Sequence, residues 1–231
     1  MSERLVSVII PTREKVREEV LKSIPEGIPI LIGVDKGEGQ TKIRHRLAKI
    51  ATTKYILLLD DDIVLPNNGI DGLLNTLITG RFDAVCGEVE PIALNKFSKS
   101  ILKFKVNPSS FYTTGITIWD REKFLEVMNE IPPNCHKHIG DLMIRDIAKS
   151  KRLRFFKVHN VVAKHLIELN WKDFFKYRLS CAEGIGEYYK MKGGYWRLLL
   201  KVLIAIPLST SFGVFIYRLA TFLGMLKKVF K

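Results

Sequence analysis

Five apolar residues, Tyr55 to Leu59, run without alternation into three consecutive aspartates, Asp60, Asp61 and Asp62. A strand buried on both faces of a parallel sheet reads as an unbroken apolar run, whereas a half-exposed strand alternates. The stretch therefore predicts a central strand of an α/β sheet, and it fixes where polar chemistry can sit. In open α/β sheets ligands bind beyond the carboxyl ends of the strands. Here that end carries three acids. Adjacent carboxylates repel one another unless a cation or hydrogen-bond donors offset their charge. Hard oxygen donors of this kind suit Mg²⁺ or Mn²⁺, held by one or two carboxylates together with substrate phosphates. The alternative is an acidic turn that caps the next helix, but a triple aspartate abutting a buried strand favours the metal.

The residues before this strand supply its neighbours. Val6 to Ile10 is a β-branched run that ends at Pro11, Thr12 and Arg13, so a strand and then a loop. Residues 14–24 have helical spacing and stop before Pro25. Ile30 to Asp35 predicts a second buried strand, with Lys36 to Gly39 as its exit loop. Thr41 is placed to cap a helix over 42–51, basic on one side through Lys42, Arg44, Arg46 and Lys49. The order βαβαβ predicts a parallel, right-handed, doubly wound half-sheet. Three strand ends then share one edge: Thr12 with Arg13, Asp35, and Asp60 to Asp62. A carboxylate at Asp35 can accept hydrogen bonds from a base or ribose, and Arg13 and Arg44 can meet a phosphate. Asp35 before Lys-Gly serves equally well as a turn former. Neither a P-loop nor a Gly-x-Gly-x-x-Gly fingerprint is present.

Taken in order, Ser7-Val-Ile-Ile-Pro-Thr12, Val34-Asp35, the basic helix around Arg44, and Tyr55-Ile-Leu-Leu-Leu-Asp-Asp-Asp62 resemble family 2 glycosyltransferases of the GT-A fold. The similarity spans roughly residues 5–165. It implies a Rossmann-like mixed sheet with helices on both faces, and transfer of a sugar from a nucleoside diphosphate with inversion. It maps the family's Asp-x-Asp motif, which binds the metal and the diphosphate, onto Asp60 and Asp62, with Asp62 the direct metal ligand and Asp60 and Asp61 among the nucleotide-binding residues. Pro11, Thr12 and Arg13 match the loop bordering the nucleotide, and Asp35 matches the carboxylate that reads base or ribose. Thr114-Gly115 resembles the small-residue turn near the donor sugar, where the family more often has two glycines. Relatives place a histidine by the diphosphate or metal, which makes His165 a candidate ligand, although a lone histidine is more often a surface or core residue.

The family's general base is an aspartate that commonly sits beside a second acid. This chain has Gly140-Asp141 instead. One register makes Asp141 the base; the other makes it helix-stabilising and leaves Ile139 at the base position. An aspartate at a helix start is also a natural N-cap. Asp146 is the reserve. The Gln-x-x-Arg-Trp signature of membrane-bound relatives is missing from the aromatic helix expected over 171–190, where only Tyr177-Arg-Leu-Ser-Cys181 stands. That argues against a polysaccharide synthase.

The second half continues with strands over 84–90, 111–119 and 153–158, and a helix over 121–130 capped by Asp120. Domain boundaries are expected at 1–168 for the catalytic part, divided into a nucleotide half 1–92 and an acceptor half 93–168. An interface helix over 169–194 and a tail over 195–231 follow. Charge is informative here. The chain carries a net charge of +13, and no acid follows Glu187, so Lys190, Lys192, Arg197, Lys201, Arg218, Lys227, Lys228 and Lys231 supply eight of it. Val202 to Tyr217 is 16 residues without charge, broken by Pro207. A straight span needs about 20 apolar residues. Two membrane-associated apolar helices, 195–206 and 212–228, are therefore expected to lie in or dip into an anionic lipid surface. Packing on the sheet or on a second subunit is the soluble alternative.

Three scattered cysteines (Cys86, Cys135, Cys181) make neither a disulfide framework nor a zinc site. Met1-Ser-Glu-Arg-Leu enters the first strand without a signal-peptide pattern. These readings converge on a metal-dependent glycosyltransferase at the cytoplasmic face of the cell membrane, with no nucleic-acid partner. Its donor is a UDP- or GDP-sugar, and its acceptor a hydroxyl of a lipid-linked saccharide. A polyprenyl phosphate acceptor, a nucleotidyltransferase and a catalytically silent binding protein are the alternatives.

Overall fold

The computed structural model describes residues 5–102, 114–132, 135, 139–206 and 212–227. They fall into two compact units, residues 1–92 with 109–166, and residues 93–108 with 167–231.

The first unit is built on a seven-stranded mixed sheet. Its strands are β1 (Val6–Thr12), β2 (Ile30–Val34), β3 (Tyr55–Leu59), β4 (Ile63–Val64), β5 (Ala84–Ala93), β6 (Ile116–Asp120) and β7 (Phe155–Ile167), in the order β2-β1-β3-β6-β5-β7-β4. β1 pairs in parallel with both β2 and β3, as βαβαβ requires. β6 then lies antiparallel between β3 and β5. All five residues of β3 are buried. Tyr55, Leu57 and Leu59 join Val8, Ile10 and helix α3 (Gly69–Thr79) on one face of the sheet. Ile56 and Leu58 join Ile9, α2 (Gln40–Ile50), α5 (Arg121–Met128) and α6 (Gly140–Ser150) on the other. Helices thus cover both faces, and burying each leucine contributes about 1.5–3 kcal/mol.

Several expectations are corrected. β2 is not buried: it forms an edge of the sheet, and Ile30, Ile32 and Val34 are exposed. The helix expected over 14–24 shrinks to α1 (Glu18–Lys22), because the Arg17 backbone is extended and its amide donates to the Asp61 carbonyl at 3.4 Å. Pro11 and Thr12 lie inside β1 rather than in a loop, Pro11 opposite Gly33. Thr41 does not cap α2; Gly39 occupies that position and Thr41 is buried in the first turn. Of the strand expected over 111–119, residues 111–113 lie outside the described residues and Ile116 is the first strand residue. β7 runs far past the expected 153–158, to Ile167, because its far end pairs with β4. The Asp120 cap is as read: its carboxylate accepts from the Glu122 and Lys123 amides.

The second unit contains α4 (Lys96–Leu102), α7 (Trp171–Lys192), α8 (Tyr195–Ala205) and α9 (Phe212–Leu226). Asn95 and Ser98, read as part of the acceptor half, are tied to this unit: Asn95 donates to the Leu169 carbonyl and Ser98 accepts from the Leu169 amide. α9 packs tightly on α7. A Cβ at Gly224 would lie 2.4 Å from the Leu179 carbonyl oxygen, so only glycine permits that approach. Tyr195 of α8 reaches the Met225 carbonyl with its hydroxyl. Among the described residues no helix is long and apolar enough to cross a membrane.

Candidate active site

The parallel register of β1, β2 and β3 ends all three strands on one edge, and hydrogen bonds join those ends. Thr12 accepts the Asp35 amide at its carbonyl (2.7 Å) and donates its hydroxyl to Asp61 Oδ2 (2.5 Å). Asp35 Oδ1 accepts the amides of Gly37 and Gly39, each at 2.9 Å. Both glycines have φ near +100°, a conformation that L side chains avoid. Asp35 therefore acts as the turn former, with both of these bonds on one oxygen. Arg13 is exposed, and its charge favours the ionised form of Asp61.

The next contact comes from the turn before β6. The Asp60 amide donates to the Gly115 carbonyl (3.0 Å), beside buried Thr114. Gly115 has φ of +90°, and a Cβ there would stand 3.1 Å from Asp60 Oδ2. The glycine thus leaves the carboxylate room.

Arg44 departs from expectation. Read as a phosphate contact, it is instead buried, its side chain 3% exposed, with Nη2 donating to Asp60 Oδ1 at 2.6 Å. Nη1 lies 3.5 Å from Asp141 Oδ1, and Nη2 reaches Gln40 at 3.4 Å. Asp60, read as a metal ligand, accordingly has Oδ1 engaged by a guanidinium.

Asp62 turns the other way. Its Oδ2 meets His165 Nε2 at 3.0 Å. The contact is set by backbone: Ile63 of β4 pairs with His165 of β7, and the Leu166 amide donates to the Asp62 carbonyl (2.8 Å).

Electrostatics follow from this crowding. Burial pushes the Asp60 carboxyl above its ordinary value; Arg44 opposes the shift, and Asp62 and Asp141 add to it. Burial also raises Asp61, against the Thr12 hydrogen bond and with help from Asp62. For His165, burial disfavours the imidazolium, but the Asp62 hydrogen bond and the three aspartate charges outweigh it, so its pKa rises. The edge attracts positive charge.

Whether a divalent ion fits can be judged from the donor set. No three His, Cys, Asp or Glu side chains converge on one point among the described residues. Asp62 and His165 do present a carboxylate oxygen and an imidazole nitrogen side by side. That pair suits Mn²⁺ when phosphate oxygens and water complete the shell.

Asp141 sits in the first turn of α6, 59% exposed, and is not the N-cap: Ile139 holds that place without a side-chain cap bond. Asp146 lies one turn on, 3.5 Å from Arg145. The reading from sequence missed what puts Asp141 beside Arg44. A Cβ at Gly140 would lie 1.8 Å from Thr41 Oγ1, so the absent side chain lets α6 dock on α2. The signal was a glycine standing where the family pairs an acid. Gly140→Ala is expected to cost about 2 kcal/mol, as overpacked sites do. Thr41→Ala in the same chain should recover part of it, as urea titrations of the two single variants and the double variant would show.

Comparisons with known proteins fit this geometry. The family model described as Glycosyl transferase family 2 matches residues 12–150. The chain is similar to glucosyl-3-phosphoglycerate synthase from Mycobacterium tuberculosis, crystallised with Mn²⁺ and uridine-diphosphate-glucose. That match has a TM-score of 0.55 and 14% identity over 81% of this chain and 78% of that one. It is also similar to residues 1–349 of TarS from S. aureus in complex with UDP-GlcNAc, with a TM-score of 0.52 and 12% identity over 83% of this chain and 75% of that one. No curated protein matches the sequence. At such identities the structures speak for the fold, a GT-A α/β fold with a mixed sheet and helices on both faces. The family match covers more than half of the chain, which is therefore a member of glycosyl transferase family 2 and an enzyme of that family.

Proposed function

We propose that the enzyme transfers a sugar from a nucleoside diphosphate to an acceptor hydroxyl, with inversion. The observation that carries this reading is the single edge joining Thr12, Asp35 and the three aspartates, with Asp141 held against the same guanidinium as Asp60. The neighbours crystallised with UDP-sugars support a nucleotide-sugar donor, and the one crystallised with Mn²⁺ supports a divalent ion. When bound, that ion neutralises charge on the departing diphosphate and orients it. Asp62 and His165 would hold it.

The chain's own residues supply the rest. Thr12 and Arg13 border the nucleotide, and Asp35 presents its second oxygen to base or ribose. Thr114 and Gly115 leave room for the donor sugar above Asp60. The acceptor oxygen attacks the anomeric carbon, the bond to the diphosphate breaks, and the acceptor proton passes to the Asp141 carboxylate. A general base of this kind is typically worth about 10²–10⁴-fold in rate. The exposed apolar face of α8 and the basic tail support a lipid-linked saccharide acceptor at the cytoplasmic face of a membrane.

Asp141→Asn tests the reading. The amide keeps the size of the side chain but takes no proton, so turnover should fall by about 10²-fold or more while donor binding stays near wild type. A loss below tenfold, or a bare polyprenyl phosphate as the best acceptor, removes the base, since a phosphate is already ionised. Release of pyrophosphate in place of a nucleoside diphosphate would make the enzyme a nucleotidyltransferase.

A further inference from the structure

The two C-terminal helices are both apolar in sequence, but the structure treats them differently. α9 buries Val214, Ile216, Ala220, Thr221 and Met225 within its own unit. α8 turns only Tyr195 and Leu199 fully inward. On its outer side Trp196 is 65% exposed, Leu200 59%, Leu203 46% and Ile204 59%. These stand at i, i+4, i+7 and i+8, which is one continuous helical stripe. Eleven residues span about 16 Å, too short to cross a hydrocarbon core of about 30 Å. Such a helix can lie in the plane of a surface.

A cavity of about 360 Å³ adjoins the start of this stripe, at the Gly193-Gly194 turn. Its walls include Lys190, Tyr195, Trp196 and Arg197. Lys190 Nζ lies 5.5 Å from the centre of the Tyr195 ring. The pocket thus combines two cations with aromatic walls, and no acidic residue follows Glu187 anywhere in the chain. Lys192 and Lys201 add charge on the same two helices without lining the pocket. An apolar stripe that would enter acyl chains, with a basic aromatic pocket at its edge, matches one kind of partner: a lipid with an anionic head.

We propose that the α7–α8 turn is a headgroup site, in which Lys190 and Arg197 hold the phosphate of an anionic phospholipid while Trp196, Leu200, Leu203 and Ile204 enter the acyl boundary. The proposal rests on the reading of the tail as membrane-facing and goes further, from general adhesion to a defined site for one charged group. Cations that hydrogen-bond a phosphate contribute more than cations that only share its field.

The test uses the full-length protein and sedimentation with vesicles of neutral phosphatidylcholine, or of phosphatidylcholine with phosphatidylglycerol. Wild type should prefer the anionic vesicles. Lys190→Gln with Arg197→Gln should weaken that binding about three-hundredfold, about thirtyfold from the lost charge and the rest from lost hydrogen bonds to the phosphate. The matched pair Lys192→Gln with Lys201→Gln removes the same charge outside the pocket and should lose roughly tenfold less. Melting curves of both pairs establish that the fold is kept. Equal losses in the two pairs would overturn the site in favour of diffuse attraction, leaving the membrane reading intact. Equal binding to neutral and anionic vesicles would also overturn the site alone. Binding to neither would overturn the membrane reading with it.

Discussion

Asp62→Ala is expected to abolish sugar transfer and remove Mn²⁺-dependent nucleotide binding while the fold remains intact. The side chain is 36% exposed, and alanine removes its hydrogen bond to His165. The Asp62 carbonyl would still accept from Leu166, so the β4–β7 ladder survives. A thermal shift with UDP, with and without Mn²⁺, reads the effect directly. A ligand at 100 times its dissociation constant stabilises by about 2.7 kcal/mol, and the variant should show none of the Mn²⁺-dependent part. Wild-type turnover by Asp62→Ala under chelator-controlled Mn²⁺ would defeat the assignment of this carboxylate to the metal.

Arg44→Met carries the second large effect, on stability and turnover together. Methionine fills much of the buried volume but removes the cation shared by Asp60 and Asp141. Breaking a buried pair from one side costs about 3–5 kcal/mol. Asp60 keeps 30% of its side-chain surface in contact with solvent, which places the expected loss at about 3 kcal/mol, near the low end of that range. Arg44→Lys should regain some stability without regaining turnover, since one ammonium does not reproduce the two-sided reach of a guanidinium. If Arg44→Met melts at the wild-type temperature, the buried pairing has no energetic role. Urea titration measures the first effect and steady-state kinetics the second.

The central strand was legible because its signal is local: five apolar residues with no polar face can only be covered on both sides. β2 shows the limit of the same rule. Ile30-Leu-Ile looks equally apolar, but whether a strand is flanked on one side or two depends on where later strands are inserted. The order β2-β1-β3 leaves it at the edge. The acidic strand end could be located from sequence, whereas the partition of its carboxylates could not. Asp60 faces Arg44 and Asp62 faces His165 through packing between segments 16 and 103 residues apart. A basic residue on a helix reads as solvated by default, and nothing adjacent to Arg44 in the chain announces that its side chain is buried. Asp141 was placed at a helix start correctly, but the cap belonged to Ile139 because the helix begins one residue earlier, at Gly140.

The pairing of Ile63 with His165 carries a consequence for how this chain can change in length. Successive strand residues point to opposite faces, so a one-residue slip exchanges every side chain for its neighbour. One residue lost or gained within β7 ahead of His165, with the ladder otherwise kept, would set Leu166 or Lys164 opposite Ile63. An aliphatic group or an ammonium would then replace the imidazole beside Asp62. Two residues would restore the face but move the histidine along the strand by about 6.6 Å, beyond reach. The run from Phe155 to His165 can therefore vary in composition at its exposed positions, such as Phe156, Val162 and Lys164, while its residue count stays fixed. Insertions and deletions should accumulate in the turns on either side of it.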